Sequence, residues 1–279
     1  MKIAVLSGKG GTGKTFISVN LAAVMGKSVY IDCDVEEPNG RIFLSPGECS
    51  CSEAVVPVPR FDLGKCSGCR KCVDFCHFNA LVFIKKHPVL FSEVCHSCGG
   101  CMLVCTEKAI TEVPRPVGVV EQGQYHDVTV VTGILDPGEA SAVPVIKAAL
   151  QRGLSLGNQT IIDCPPGSGC PVMESVMAAD CCILVAEPTA FGFHNFKMVY
   201  ELVKMLQKPC FVVVNKEDEP YFPLESFCAA ERIPVLMHIP YQPQLARCIA
   251  AGKLVSEEDS QWGRQFRDLL IRIQKEAAR

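Results

Sequence analysis

Short runs of β-branched and aliphatic residues alternate with stretches of helical periodicity along most of this chain. Lys2–Leu6, Ser28–Asp32, Val128–Thr132, Thr160–Asp163, Ile183–Ala186, Phe211–Asn215 and Val235–Ile239 are strand candidates, most of them nearly unbroken apolar runs. Strands buried on both faces of a parallel sheet read this way. Between them, Thr15–Met25, Val143–Gln151, Met173–Ala178, Phe193–Leu206, Leu224–Glu231 and Gln244–Ala251 carry helical spacing, and Gln261–Glu276 reads as a final helix. The rhythm predicts an α/β fold: an open, doubly wound, mainly parallel sheet of seven strands. In the final helix Trp262, Phe266, Leu269, Leu270 and Ile273 form one apolar stripe. Packing onto the sheet is expected for it, in preference to a membrane surface.

One region breaks the rhythm. From Phe61 the alternation stops and cysteines crowd in, with Pro57 and Pro59 before the region and Pro114 and Pro116 after it. This predicts an inserted α+β domain over 61–112, with 1–60 and 113–279 forming the α/β domain. The insert repeats internally: Cys66, Cys69, Cys72 and Cys76 follow C-x-x-C-x-x-C-x-x-x-C, and Cys95, Cys98, Cys101 and Cys105 repeat that spacing. Ala80-Leu81 and Ala109-Ile110 follow at the same offset.

Composition narrows the chemistry. The chain has 279 residues, 48% hydrophobic and 20% charged, which supplies a real core. A net charge of −3 gives no electrostatic case for nucleic acid or for an anionic membrane. No apolar run reaches the length of a membrane span. The opening residues read as a strand running into a glycine loop, with no room for a signal peptide, so a cytoplasmic location is expected. In that setting 18 cysteines do not indicate a disulfide scaffold.

Gly8 to Thr15 read GKGGTGKT, matching the P-loop pattern G-x-x-x-x-G-K-[ST] between a strand and a helix. Gly8, Gly10, Gly11, Thr12 and Gly13 let backbone amides approach phosphate oxygens, and the helix beginning at Thr15 and Phe16 adds its dipole. Lys14 should reach the β and γ phosphates, and the Thr15 hydroxyl should ligate Mg²⁺.

The extra lysine, Lys9, makes this loop resemble the deviant Walker A of the MinD/ParA/Mrp ATPase family, which includes the nitrogenase iron protein. The resemblance implies ATP and ADP as ligands and a dimer, homomeric or with a paralogous ATPase, in which Lys9 reaches the partner's nucleotide. It further implies that Asp34, in the D-x-D of Asp32 and Asp34, contacts the attacking water or the Mg²⁺ shell, Asp32 being mainly structural. Asp163, opening DCPPG, would hold Mg²⁺ through water, with Gly167 near the γ-phosphate. Asn215 would read adenine, although NKED from Asn215 to Asp218 also looks like a guanine signature, and Pro240 and Tyr241 would lie beside the base. Cys170 stands at the offset of a cluster ligand in the nitrogenase iron protein, so two copies could share a bridging metal. Gly133–Val143 supplies no second cysteine, and Cys164 is a possible substitute.

The cysteine spacing is that of bacterial ferredoxins, whose fourth cysteine ligates the other cluster. Cys66, Cys69, Cys72 and Cys105 should therefore hold one 4Fe–4S cluster, and Cys95, Cys98, Cys101 and Cys76 the other. Zinc also takes four thiolates. Where those ferredoxins carry proline after the fourth cysteine, His77 and Thr106 stand here. The whole pattern resembles MinD-superfamily ATPases containing an inserted ferredoxin domain. It implies a Mg²⁺-dependent ATPase coupling nucleotide-driven dimer switching to electron transfer with a redox partner. An ATP-dependent assembly factor serving a metalloprotein client is the alternative, and a spatial-positioning ATPase the third.

Overall fold

In β1 (Lys2–Leu6), Ile3 and Val5 enter one hydrophobic core while Ala4 and Leu6 enter another, so the strand is apolar from Ile3 onward. The computed structural model describes residues 1–157 and 159–278. The further strands are β2 (Ser28–Asp32), β3 (Ser50–Phe61), β4 (Leu81–Ile84), β5 (His87–Leu90), β6 (Ile110–Tyr125), β7 (Val128–Leu135), β8 (Thr160–Asp163), β9 (Cys181–Ala186), β10 (Cys210–Glu217) and β11 (Val235–Pro240). Among the described residues nine of them form one sheet in the order β11-β10-β9-β1-β8-β2-β7-β6-β3, and β4 and β5 form a separate hairpin. The seven strands from β11 to β7 run parallel, and β6 and β3 add antiparallel pairs at one edge.

Helices cover both faces. On one face lie α1 (Lys14–Met25) and α11 (Ser260–Ala277), joined there by Phe43 of α2 (Gly40–Phe43), Leu245 of α9 (Pro243–Ala250) and Val255 of α10 (Val255–Glu258). The apolar stripe of α11 is buried, and Phe266 meets Phe16 edge-on at 5.8 Å. On the other face lie α5 (Val143–Leu154), α6 (Cys170–Met177), α7 (Ala190–Met205) and α8 (Phe222–Ala230).

The seven expected strands are present, some longer than their apolar runs. The expectation of a seven-stranded sheet is corrected to nine, because β3 and β6 do not read as strands in the sequence. Their prolines look like linkers, yet Pro57 faces Pro114 and Pro59 faces Glu112 across a paired ribbon. Proline cannot donate to a ladder and so survives only at edges. Here Pro114 and Pro116 fall where β6 has left β7, whose pairing begins at Gly118.

That ribbon carries the cysteine-rich segment, which leaves after Phe61 and returns at Ile110, its pairing partner. The segment contains α3 (Lys71–Phe75), the β4–β5 hairpin, a 3₁₀ turn at Ser92–Val94 and α4 (Gly100–Leu103). Its backbone repeats as its sequence does. Left-handed residues recur at Gly68 and Ser97, Arg70 and Gly99, and Asn79 and Lys108. The Phe91 amide donates to the Ala80 carbonyl, and the Asp62 amide to that of Ala109.

Candidate functional site

The phosphate-type loop follows β1 at the carboxyl edge of the sheet, where open α/β folds bind ligands. Two of its glycines are sterically required. A Cβ on Gly8 would lie 2.2 Å from the Asn195 carbonyl oxygen, and Gly13 combines φ +98° with a Cβ position 2.1 Å from the Asn215 amide nitrogen. Asn215 donates to the Thr12 carbonyl at 2.8 Å, and Lys216 Nζ to that of Gly11 at 2.6 Å. The loop is thus braced from the end of β10.

A cavity of about 1170 Å³ opens beside this loop, somewhat above the usual range for small-molecule sites. Lys9, Gly10, Gly11, Gly13, Lys14, Thr15, Phe16, Asp34, Asn215, Pro240 and Tyr241 all line it, so the fold brings together residues far apart in sequence. Gly8, Thr12, Asp163 and Gly167 lie outside the lining. Asp163 is fully buried behind Lys14, and Gly167, at φ +95°, donates its amide to the Ser7 carbonyl.

Three carboxylates surround Lys14. Its ammonium lies 2.9 Å from Asp163 and 3.4 Å from Asp34. Burial opposes the charge, but Asp163, Asp34 and Asp32 outweigh it and push the Lys14 pKa up. Asp163 also accepts from the Tyr30 hydroxyl at 2.8 Å and lies 3.1 Å from the Ser18 hydroxyl. Asp32 sits beside Asp163 in register across β2 and β8. Burial and then Asp163 push its carboxyl up to about 8, against the pull of Lys14 and two backbone amides. It accepts from the amides of Gly40 and Asp34 and so shapes the loop after β2. Asp34, on the cavity wall, is raised by burial despite Lys14.

Lys9 is held within its own chain. It pairs with Glu187 and lies 5.2 Å over the Phe191 ring, while Glu187 also binds Lys216 at 2.8 Å. Against burial, Lys216 and Lys9 keep the Glu187 carboxyl below its ordinary value. The sequence shows Glu187-Pro188-Thr189 but no reason to join it to Lys9, and Tyr30 reads only as core.

In the ribbon segment the cysteines separate into the crossed sets. Cys66, Cys69, Cys72 and Cys105 line one small cavity with Phe61, Arg70 and Phe83. Cys76, Cys95, Cys98 and Cys101 line a second with Pro57, Pro59 and Glu112. Burial, and then Cys66 and Cys105, raise the Cys72 thiol; burial, and then Cys95 and Cys98, push Cys101 up to about 11. Cys69 is lowered, first by the Lys71 amide. Among the described residues no three or more His, Cys, Asp or Glu side chains converge on a single-ion position. The donor set nonetheless fits a pair of clusters: four thiols surround each cavity, and left-handed residues recur at matching positions in the two halves. His77 lines the second cavity beside Cys76.

The family model of the CobQ/CobB/MinD/ParA nucleotide binding domain matches residues 3–255. The chain belongs to this family. An uncharacterised protein of Methanocaldococcus jannaschii is 28% identical over 284 residues, spanning 99% of this chain and 97% of the relative. An iron-sulfur cluster carrier protein of Pyrococcus horikoshii is 52% identical over 42 residues, 14% of each chain. Among solved structures, the cell division ATPase MinD of Pyrococcus furiosus aligns over 98% of both chains at TM-score 0.58 and 19% identity. The septum site-determining protein MinD of Pyrococcus horikoshii, complexed with Mg-ADP, covers 98% and 96% at TM-score 0.59 and 18% identity. The family model shows membership of the nucleotide-binding family, and the two solved structures share the fold.

The remaining thiols divide by exposure. Cys170 is exposed at the first turn of α6, beside Pro171 and Val172 of the nucleotide cavity wall. Cys164 is fully buried, with its thiol raised by burial and then by Cys33, which removes it as a surface partner for Cys170. Cys33, Cys181, Cys182 and Cys228 are core residues, Cys210 and Cys248 are partly buried, and Cys49 and Cys51 are exposed. No helix among the described residues is long and apolar enough to cross a membrane.

Proposed function

We propose that this chain is an ATP-hydrolysing iron–sulfur protein that couples nucleotide-driven dimer switching to ferredoxin-type electron transfer. The observation that carries the reading is the sorting of eight cysteines into two crossed sets around two cavities, on a ribbon extending from a nucleotide-binding sheet. Backbone amides of Gly10 to Thr15 would bind the phosphates, and the Thr15 hydroxyl, with Asp163 through water, would hold Mg²⁺. Lys14 leaves Asp163 and Asp34 for the β and γ phosphates. Asp34, released, orients the attacking water. Asp163 stays fixed by Tyr30 and Ser18. Lys9 exchanges Glu187 for the nucleotide of a second copy or a paralogue, closing the dimer. Two 4Fe–4S clusters, one held by Cys66, Cys69, Cys72 and Cys105 and the other by Cys76, Cys95, Cys98 and Cys101, supply one-electron transfer when bound.

A second reading, ATP-dependent assembly of a metal cofactor on a client, is favoured by the 42-residue likeness to an iron-sulfur cluster carrier and by exposed Cys170. An anaerobic redox titration followed by EPR, with and without Mg-ATP, separates the two. A nucleotide-dependent midpoint with constant iron content supports electron transfer. ATP-stimulated loss of iron to an apo-ferredoxin acceptor, abolished by Cys170→Ser, overturns it in favour of assembly.

A further inference from the structure

We propose that Arg115 is the positioning residue through which the nucleotide cavity acts on the cluster held by Cys76, Cys95, Cys98 and Cys101. The inference rests on the iron–sulfur reading above and adds the route by which its two halves communicate.

Arg115 lies on β6, in the ribbon between the sheet and the cysteine segment, opposite Val56. Its guanidinium grips Glu139 with both terminal nitrogens, at 2.5 and 2.7 Å. The pair is largely buried, 18% and 11% exposed, so it is not an ordinary surface bridge. Nε is buried with no partner among the described residues, leaving one donor uncommitted. On the same strand Glu112, paired with Pro59, lines the cavity of Cys76, Cys95, Cys98 and Cys101, and Glu93 and Cys95 lie within electrostatic reach of the Arg115 guanidinium. Cys95 itself packs with Leu90 and Val113 against the main core.

Glu139 belongs to the loop joining β7 to α5, and that loop is tied to the nucleotide cavity at both ends. Where it begins, the Leu135 amide donates to the Val35 carbonyl at 2.9 Å, and Val35 follows Asp34 on the cavity wall. Where it ends, Ala142 lines the same cavity. Between these points the Asp136 amide donates to Val117 of β6 at 3.0 Å, and the Glu139 amide to Asp136 at 3.3 Å. The side chain of Val35 also bears on Gly133, where an added Cβ would approach within 2.6 Å. Movement of the Asp34–Val35 segment therefore cannot leave Leu135 and its loop undisturbed. Asp34 is held by Lys14 at 3.4 Å, and a phosphate that captures Lys14 removes that hold. This makes the Asp34 segment the two-state element biased by nucleotide.

The readout is electrostatic. Reduction of a four-iron cluster takes up one electron and adds one negative charge, which a nearby guanidinium favours. Glu139 partly cancels that guanidinium. Shifting Glu139 relative to Arg115 alters how much positive charge the cluster experiences, and so its midpoint potential.

The test is an EPR-monitored titration of the full protein with dithionite, with and without Mg²⁺ and a non-hydrolysable ATP analogue. In the unaltered protein the analogue shifts the midpoint of one of the two cluster signals. Arg115→Gln lowers that midpoint and abolishes the shift. Glu139→Gln raises it and abolishes the shift. Arg115→Lys keeps the midpoint near its original value and loses most of the shift, because charge survives and the two-pronged grip does not. Iron content and analogue affinity are measured alongside, and Glu139→Gln carries the test if Arg115→Gln fails to fold. A shift that persists in the Gln variants overturns the inference, as does an unaltered protein that binds iron and nucleotide but shows no shift. Absence of clusters, or of nucleotide binding, overturns the underlying reading instead.

Discussion

Replacing Lys14 by alanine removes the cation set among Asp163, Asp34 and Asp32, and the size of the effect follows from its surroundings. At 2.9 Å from Asp163 the attraction is about 6 kcal/mol at an effective dielectric of about 20. The Asp34 contact at 3.4 Å contributes about 5 kcal/mol on that scale, reduced because Asp34 is 19% exposed. Desolvation of the ions opposes both. Removing one member of a buried pair nets about 3–5 kcal/mol, since the surviving charge is stranded. Lys14→Ala should therefore lower the unfolding free energy by that amount, read by anaerobic urea denaturation without nucleotide. The double variant Lys14→Ala/Asp163→Asn should recover about 2 kcal/mol or more of this loss, because the stranded carboxylate is gone. Both variants should bind a fluorescent ATP analogue roughly 100-fold more weakly or worse, having lost the charged hydrogen bonds to phosphate. Iron content should not change. A single-variant cost below about 1 kcal/mol, strict additivity in the pair, or nearly unaltered analogue binding would refute the reasoning.

Other outcomes follow from the same geometry. Glu187→Gln frees Lys9 from its own chain and should promote ATP-dependent dimerisation by roughly five- to tenfold in sedimentation equilibrium; an unchanged constant would mean that Glu187 does not restrain Lys9. Asp32, raised to about 8 in the fold, retains a proton that the unfolded chain releases near pH 4. Its contribution to apo-protein stability should therefore decline by about 1.4 kcal/mol per pH unit between those values and level off above pH 8, a slope that Asp32→Asn should flatten. Phe266→Ala opens a cavity between α11 and Phe16 and should cost about 3–5 kcal/mol by denaturation, with weakened analogue binding because Phe16 lines the nucleotide cavity.

The parts of the fold legible in the sequence were those with a local signature. Parallel strands such as Cys181–Ala186 are buried on both faces and announce themselves as apolar runs. The phosphate loop and the cysteine quartets have spacings fixed by backbone geometry. The long strands β3 and β6 were hidden because Pro57, Pro59, Pro114 and Pro116 argue against strand, and only their mutual pairing at a sheet edge reconciles them with it. The contact of Lys9 with Glu187 was hidden for another reason. It joins the first loop to the end of β9, and no periodicity reports a contact over such a distance. Tyr30 likewise reads as a core aromatic, since its hydroxyl finds Asp163 only through the adjacency of β2 and β8.

Metal analysis of anaerobically purified protein, combined with EPR of the dithionite-reduced sample, tests the central claim most directly. The account predicts about eight iron atoms per chain, four for each cysteine set, and reduced-cluster signals that disappear set by set when Cys72 or Cys101 is replaced by serine. Stoichiometric zinc in place of iron, or reduced protein without a cluster signal, would contradict it.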